Sequence, residues 1–80
     1  MDQFIYMKHK LDLRRLLCPL PVIRLGEAMN EVDIGDLVEI RATDKGTMHD
    51  IPAWTRVHGH EVIDIDEKND EIVLIIKKLV

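Results

Sequence analysis

The chain has 80 residues and a formal net charge of −4 at pH 7, with 46% apolar and 32% charged residues. A chain of this length and composition makes one globular domain, for which we take residues 1–80, with 1–7 as a loose N-terminal lead-in. The acidic balance argues against direct nucleic-acid binding, because phosphate binding requires clustered Lys and Arg. No apolar run approaches the length of a membrane span, and no signal peptide is visible. We therefore expect a reducing, cytoplasmic setting without membrane contact.

Alternating polar and apolar side chains predict four strands, and apolar side chains at helical spacing predict two helices. The strands are expected at residues 8–13, 37–42, 60–66 and 71–78, and the helices at 19–31 and from 47 to a stop at Gly59. The last strand is apolar on both faces, which predicts that it is a central strand or lies under a partner. A hairpin turn on Asn69-Asp70 precedes it.

The simplest packing of this β-α-β-α-β-β order is an α+β two-layer sandwich. It has a four-stranded mixed sheet with both helices on one face. The less covered face of the sheet is then a candidate surface for weak self-association. Thr47-x-x-Asp50 is typical of a capping box that opens the second helix. The expected apolar stripes are Val22, Leu25, Met29 and Val32 on the first helix, and Ile51, Trp54 and Val57 on the second.

The single cysteine lies in the stretch Leu17-Cys18-Pro19-Leu20-Pro21, where the apolar period of the first helix begins. Proline is tolerated in a first helical turn, so Pro19 is expected near N1, Pro21 near N3, and Cys18 at or next to the N-cap. The helix dipole would then favour a thiolate, with the N–H of Leu20 facing the sulfur. A lone cysteine can equally be a small buried apolar residue. The residues alone leave both interpretations open.

The same stretch resembles the TusA/SirA/YedF family of small sulfur-carrier proteins. The resemblance rests on Leu11-Asp12-Leu13, on the Cys-Pro-x-Pro helix start at Cys18, and on Asp44 followed by Asp50-Ile51-Pro52. It implies a sandwich like the C-terminal domain of translation initiation factor 3. It also implies that Cys18 carries a persulfide sulfur from a donor, such as a cysteine desulfurase, to an acceptor protein, with tRNA thiolation among the outlets. The family usually has a glycine two or three residues before the cysteine, where this chain has Arg15-Leu16-Leu17.

Four further residues join the cysteine and its two prolines as candidate site residues. The resemblance implies that Asp12 fixes the cysteine loop by accepting backbone N–H bonds, and that Asp44 and Asp50 shape this loop or bind a partner. Turn formation by Asp44 and capping by Asp50 are the ordinary alternatives. Arg15 and Arg24 belong to a basic cluster that would surround the sulfur, lower the thiol pKa and attract an acidic partner surface. The cluster can also be a solvated face; its members are Lys8, Lys10, Arg14, Arg15 and Arg24.

His49, His58 and His60 lack the spacing of a metal site, and no Gly-rich loop surrounds Gly46. We therefore expect no metal and no cofactor, and take the histidines as surface or capping residues. The leading hypothesis is a sulfurtransferase-like persulfide carrier, and the residues do not decide whether it counts as an enzyme. The alternative is a non-catalytic binding or regulatory module on the same fold. Direct RNA binding rests on fold analogy alone.

Overall fold

The computed structural model describes residues 9–80, and the element order is the predicted one. The predicted lead-in and Lys8 lie outside the described residues. The elements are β1 (His9–Leu13), α1 (Leu20–Met29), β2 (Leu37–Ala42), α2 (Thr47–Val57), β3 (Glu61–Lys68) and β4 (Glu71–Lys77).

The four strands form one mixed sheet in the spatial order β1-β2-β4-β3. β1 runs parallel to β2, which requires the crossover that α1 supplies, and β4 runs antiparallel to both β2 and β3. β4 therefore has a strand on either side, as its two apolar faces predict. Asn69 and Asp70 connect β3 to β4 with φ angles of 55° and 64°. Two successive left-handed residues are typical of the hairpin turn that matches the twist of the paired strands.

An apolar core lies between the sheet and the two helices. Leu25 and Met29 of α1 and Ile51 of α2 pack against the same face of β2 and β4. Because alternate strand residues point to one face, both helices must cover that face, so the predicted two-layer sandwich is confirmed. The core consists of Leu13, Leu25, Met29, Val32, Val38, Ile40, Ala42, Ile51, Ile72, Leu74 and Ile76.

The apolar residues on the opposite face of the sheet include the half-buried Val73 and Ile75 of β4 and the half-buried Leu37 at the start of β2. Charged residues flank the two β4 residues in the strand register, with Arg41 and Asp66 beside Val73, and Glu39 and Asp64 beside Ile75. A second copy seated there would have to cover these charges. Self-association through this face stays a prediction.

α1 is shorter than predicted at both ends, because it begins at Leu20 after an N-cap at Pro19 and ends at Met29. Pro21 is the second helical residue and is buried together with Leu25 and Met29. The cysteine thus lies next to the N-cap, within the predicted placement.

The predicted capping box of α2 is wrong. Gly46 is the N-cap, no side chain caps the helix, and Thr47 already belongs to its first turn. The Thr47 hydroxyl instead donates to the backbone carbonyl of Asp44 at 2.7 Å. The buried face consists of Thr47, Ile51 and Thr55, and Val57, which we expected in the core, is 80% exposed.

In the part of the chain that the structure describes, neither helix has the length and apolar character needed to span a membrane.

Candidate functional site

Cys18 lies in the loop between β1 and α1, one residue before the N-cap of the helix. Two backbone hydrogen bonds turn the chain here, from Leu16 N–H to the Leu13 carbonyl at 3.3 Å and from Leu20 N–H to the Leu17 carbonyl at 2.9 Å. The peptide bond between Cys18 and Pro19 is cis. The cysteine is exposed, so its interpretation as a buried apolar residue is wrong.

The sulfur contacts a carboxylate rather than a backbone N–H. The Cys18 thiol donates to Asp50 Oδ2 at an Sγ to Oδ2 distance of 3.2 Å. The N–H of Leu20, which we expected to face the sulfur, is taken up by the Leu17 carbonyl. Asp50 belongs to the first turn of α2 but does not cap it, and its side chain reaches across to the cysteine loop.

Asp44 holds the backbone of the same loop. Its Oδ2 accepts the N–H of Cys18 at 3.1 Å, and its Oδ1 accepts the N–H of Gly46 at 3.0 Å. The bond from Gly46, and after it the bond from Cys18, lower the pKa of the Asp44 carboxyl from its ordinary value. Asp44 therefore combines the two roles weighed for it, since it forms its own turn and also shapes the cysteine loop.

The electrostatic environment of the sulfur is opposite in sign to the one expected. The pKa of the Cys18 thiol is raised, first by the hydrogen bond to Asp50, then by desolvation, and then by the charges of Asp50 and Asp44. The expectation of a lowered thiol pKa is therefore wrong. The physical reason is that the fold brings two carboxylates to the sulfur from elsewhere in the chain.

Asp12 anchors the beginning of the loop through Arg14. Its Oδ1 accepts the backbone N–H of Arg14 at 3.1 Å, and its two oxygens accept Arg14 Nε at 2.9 Å and Nη2 at 2.8 Å. The side-chain bond from Arg14, followed by the backbone bond, holds the pKa of Asp12 far below its usual range. The backbone bond that the resemblance implied for Asp12 is present. The guanidinium of Arg14 is thereby paired with a carboxylate.

Arg15 occupies the position at which the backbone turns into the left-handed region, with a φ of 70°. Its N–H donates to Thr43 Oγ1 at 2.8 Å, which ties the loop to the end of β2. Glycine adopts this conformation at no steric cost, so the glycine usual in the family would suit this position.

Neither of the two remaining arginines is among the charges that act on the Cys18 thiol. Arg15 lines a cleft of about 640 Å³, and Arg24 lines a separate cleft of about 300 Å³. Cys18 lines neither of them. Arg15 and Arg24 are exposed and form no ion pair within residues 9–80, which is consistent with a solvated basic face.

Exposed apolar side chains border the cysteine. Leu17 is 71% exposed, Leu20 is 43% exposed, and Ile23, one turn further along α1, is 49% exposed. Large apolar side chains left in solvent around a reactive group are typical of a surface that meets another protein. We name Leu17, Leu20 and Ile23 the apolar rim.

The histidines near the end of α2 form an aromatic cluster. The Trp54 ring stacks on His58 at a centroid distance of 4.1 Å and on His60 at 5.9 Å. His58 Nδ1 donates to the Trp54 carbonyl at 2.9 Å, and His60 Nδ1 accepts the N–H of Leu79 at 3.2 Å. Across residues 9–80, no three His, Cys, Asp or Glu side chains come together as a metal site would require.

For Asp50, capping is the wrong one of the two interpretations that the sequence offered. Its position three residues after Thr47 is typical of a capping box, and that local interpretation outweighed a contact with a cysteine 32 residues away. The available signal was its place in the Asp-Ile-Pro motif carried by the resemblance.

Comparisons with known proteins identify a family for this chain. A family model described as "Sulfurtransferase TusA" matches residues 9–78. The chain is 38% identical over 68 residues to "Putative sulfur carrier protein YrkI" of Bacillus subtilis, covering 85% of this chain and 91% of that protein. It is 30% identical over 69 residues to a "Putative sulfur carrier protein" of Archaeoglobus fulgidus, covering 86% and 94%.

A solved structure shares the fold. The SirA-like protein of Desulfitobacterium hafniense matches with a TM-score of 0.77 and 23% identity, over 89% of this chain and 97% of that one. At this level of identity the likeness concerns the fold alone. The family model, in contrast, spans nearly all of the described residues, and the relatives match over most of their own length. The chain therefore belongs to the TusA family of sulfurtransferases and sulfur carriers.

Proposed function

We propose that Cys18 carries a sulfur atom as a persulfide between a donor protein and an acceptor protein. The observation that carries this proposal is the exposed thiol at the Cys-Pro-x-Pro helix start, within the residues that the family model matches. The apolar rim supports it, because two different proteins must reach the same sulfur in turn. The names of the relatives support it as well.

The chemistry of loading is an exchange at sulfur. The Cys18 thiolate attacks the terminal sulfur of the donor's persulfide, and a bond forms between Sγ and that sulfur. The donor's sulfur–sulfur bond breaks, and its electron pair leaves on the donor cysteine, which takes up from solvent the proton that Cys18 gave up. Unloading repeats the step with an acceptor thiolate as the nucleophile. No oxidant or reductant is consumed, because the terminal sulfur only changes its carrier.

The donor class that we propose is a cysteine desulfurase, and tRNA thiolation is one outlet for the sulfur. Both come from the family resemblance. A cytoplasmic location fits this chemistry, since a reducing compartment keeps an exposed thiol free of disulfides.

The proposal is tested by loading the purified protein with a cysteine desulfurase and cysteine and measuring the intact mass. We expect the wild type to gain the mass of one sulfur atom, and dithiothreitol to remove it. Cys18→Ser is the matched control and should gain nothing. Sulfur on Cys18→Ser, or none on the wild type with either the desulfurase or inorganic polysulfide, would contradict the proposal.

A non-catalytic binding module is the alternative that such a failure would favour. It predicts that complexes with partner proteins form equally well with the wild type and with Cys18→Ala. A carrier predicts that sulfur loaded on the protein passes to a cysteine of its partner, and that this transfer disappears in the same variant. Transfer of ³⁵S-labelled persulfide sulfur from the protein to its partner, followed on a non-reducing gel, separates the two.

A further inference from the structure

The Cys18 thiol is held by two carboxylates from different parts of the fold. Asp50 of α2 accepts the S–H with its Oδ2 at 3.2 Å. Asp44, in the loop before α2, accepts the N–H of the same residue at 3.1 Å. These are the charged groups that act on the sulfur from the elements packed against it. Arg15 and Arg24 line clefts that do not include Cys18.

A thiolate at this position would lose its hydrogen bond and face like charges. Without the proton, Sγ and Asp50 Oδ2 are two anions at about the contact distance seen for the thiol, with the charge of Asp44 beside them. The raised pKa of the Cys18 thiol agrees with this geometry. Since the thiolate is the nucleophile in sulfur exchange, the free protein holds its reactive group in the inactive form.

We propose that Asp50 keeps the Cys18 thiol protonated in the free protein, and that a lysine or arginine of the docking partner pairs with Asp50 and releases the thiolate. This inference rests on the proposed function and adds the regulation of the site and the charge of its partner. An ion pair occupies the carboxylate oxygen that accepts the S–H bond and offsets the charge that repels the thiolate. Asp50 is thus a positioning residue that acts through Cys18. On docking, the thiol proton passes to solvent.

The partner surface that fits this site is apolar where it meets the rim and basic where it meets Asp50. The acidic partner expected from the basic cluster does not fit, because it would add a third negative charge around the sulfur. The arrangement also protects the protein between encounters. A cysteine is oxidised readily when it is both exposed and ionised as the thiolate. Cys18 is exposed but kept protonated, so it is less readily oxidised.

The test is Asp50→Asn, which keeps the shape of the side chain and removes its charge. The first readout is the rate of alkylation by iodoacetamide between about pH 6 and pH 10, measured on the full chain. We expect the midpoint of the pH profile to fall, with a rate at pH 7 about tenfold higher for each unit of that fall. The second readout is the single-turnover rate of sulfur uptake from a cysteine desulfurase. It should fall several-fold, because the partner's cation loses its counter-charge.

In Asp50→Asn the midpoint of the alkylation profile and the rate of sulfur uptake should both fall, so that alkylation at pH 7 is faster while sulfur uptake is slower. A residue with only a structural role would not lower the midpoint of the alkylation profile. Asp66→Asn is the matched control, since Asp66 is an exposed aspartate on β3 and its replacement changes the net charge equally. It should leave both readouts unchanged. Asp50→Glu keeps the charge and should retain the higher midpoint and more of the uptake rate than Asp50→Asn.

A measurement on the wild type alone covers the case in which Asp50→Asn does not fold. The alkylation midpoint of the native protein should lie above that of the same protein unfolded in urea. An equal or lower midpoint in the native protein, or an unchanged midpoint in folded Asp50→Asn, overturns the proposal. So does sulfur uptake by Asp50→Asn as fast as by the wild type. A wild type that takes up no sulfur refutes the proposed function and leaves the alkylation result standing by itself.

Discussion

Replacement of Lys78 by methionine should loosen the packing of α1 against the sheet. Lys78 follows β4, and its ammonium donates to the backbone carbonyls of Met29 and Val32, each at 2.8 Å. Met29 is the last residue of α1, where carbonyl groups lack helical partners and a cation opposes the negative end of the helix dipole. The Lys78 side chain therefore ties the C-terminal end of α1 to the central strand. Cys18 lies just before the other end of this helix.

The expected loss of stability is about 2 kcal/mol. A hydrogen bond with a charged partner contributes about 1.5–3 kcal/mol, but both bonds here are only partly buried and the freed carbonyls regain water, so the sum is reduced. Methionine retains most of the apolar stem. The backbone bonds of residue 78, to Gly35 and Asp36, do not depend on the side chain. For a domain of this size, a loss of that amount lowers the melting temperature by roughly 8–16 °C.

The assay is urea unfolding followed by circular dichroism, with Lys77→Met as the matched control. Lys77 is the neighbouring residue, is also half-buried, and its side chain has no hydrogen bond or ion pair among residues 9–80. The same chemical change there should cost less than about 0.5 kcal/mol. If Lys78→Met and Lys77→Met unfold with free energies within about 0.5 kcal/mol of each other, the two carbonyl bonds do not stabilise the helix end and the reasoning is refuted.

Two further predictions concern the cysteine loop. Arg15→Gly should be more stable than Arg15→Ala by about 0.5–1 kcal/mol. The left-handed φ of 70° costs an L-residue about 1–2 kcal/mol, and the greater entropy of glycine in the unfolded chain offsets part of that difference. Equal unfolding free energies of the two variants would show that the backbone at residue 15 is unstrained. Asp44→Asn should be less stable than the wild type at neutral pH. Because the folded pKa of Asp44 is lowered, its contribution is present above the ordinary aspartate pKa of about 3.9 and is lost as the pH falls through the folded pKa. The difference in melting temperature between the wild type and Asp44→Asn should therefore become smaller in acid. A difference that does not depend on pH would contradict the role of the carboxylate.

The strands and the central place of β4 were largely accessible from the sequence, because burial on a strand or helix imposes a short period on the side chains. β4 shows this best, since the apolar residues on both of its faces predict a strand with a neighbour on either side, and β4 lies between β2 and β3. Helix ends were less accessible. The pattern at Thr47 and Asp50 is a valid capping signal, but both side chains form bonds elsewhere, to the Asp44 carbonyl and to the Cys18 thiol.

The sequence by itself determined the elements, most of the core-facing positions and the cysteine beside a helix start, because these follow from periodicity and from proline chemistry within a few residues. Only the tertiary structure decided the sign of the charge at the sulfur. Asp44 and Asp50 lie 26 and 32 residues from Cys18 along the chain, yet both contact it, while Arg14, four residues away, is paired with Asp12. The pKa of a thiol depends on distances through space, and for this loop the packing of α2 against α1 and the sheet sets those distances.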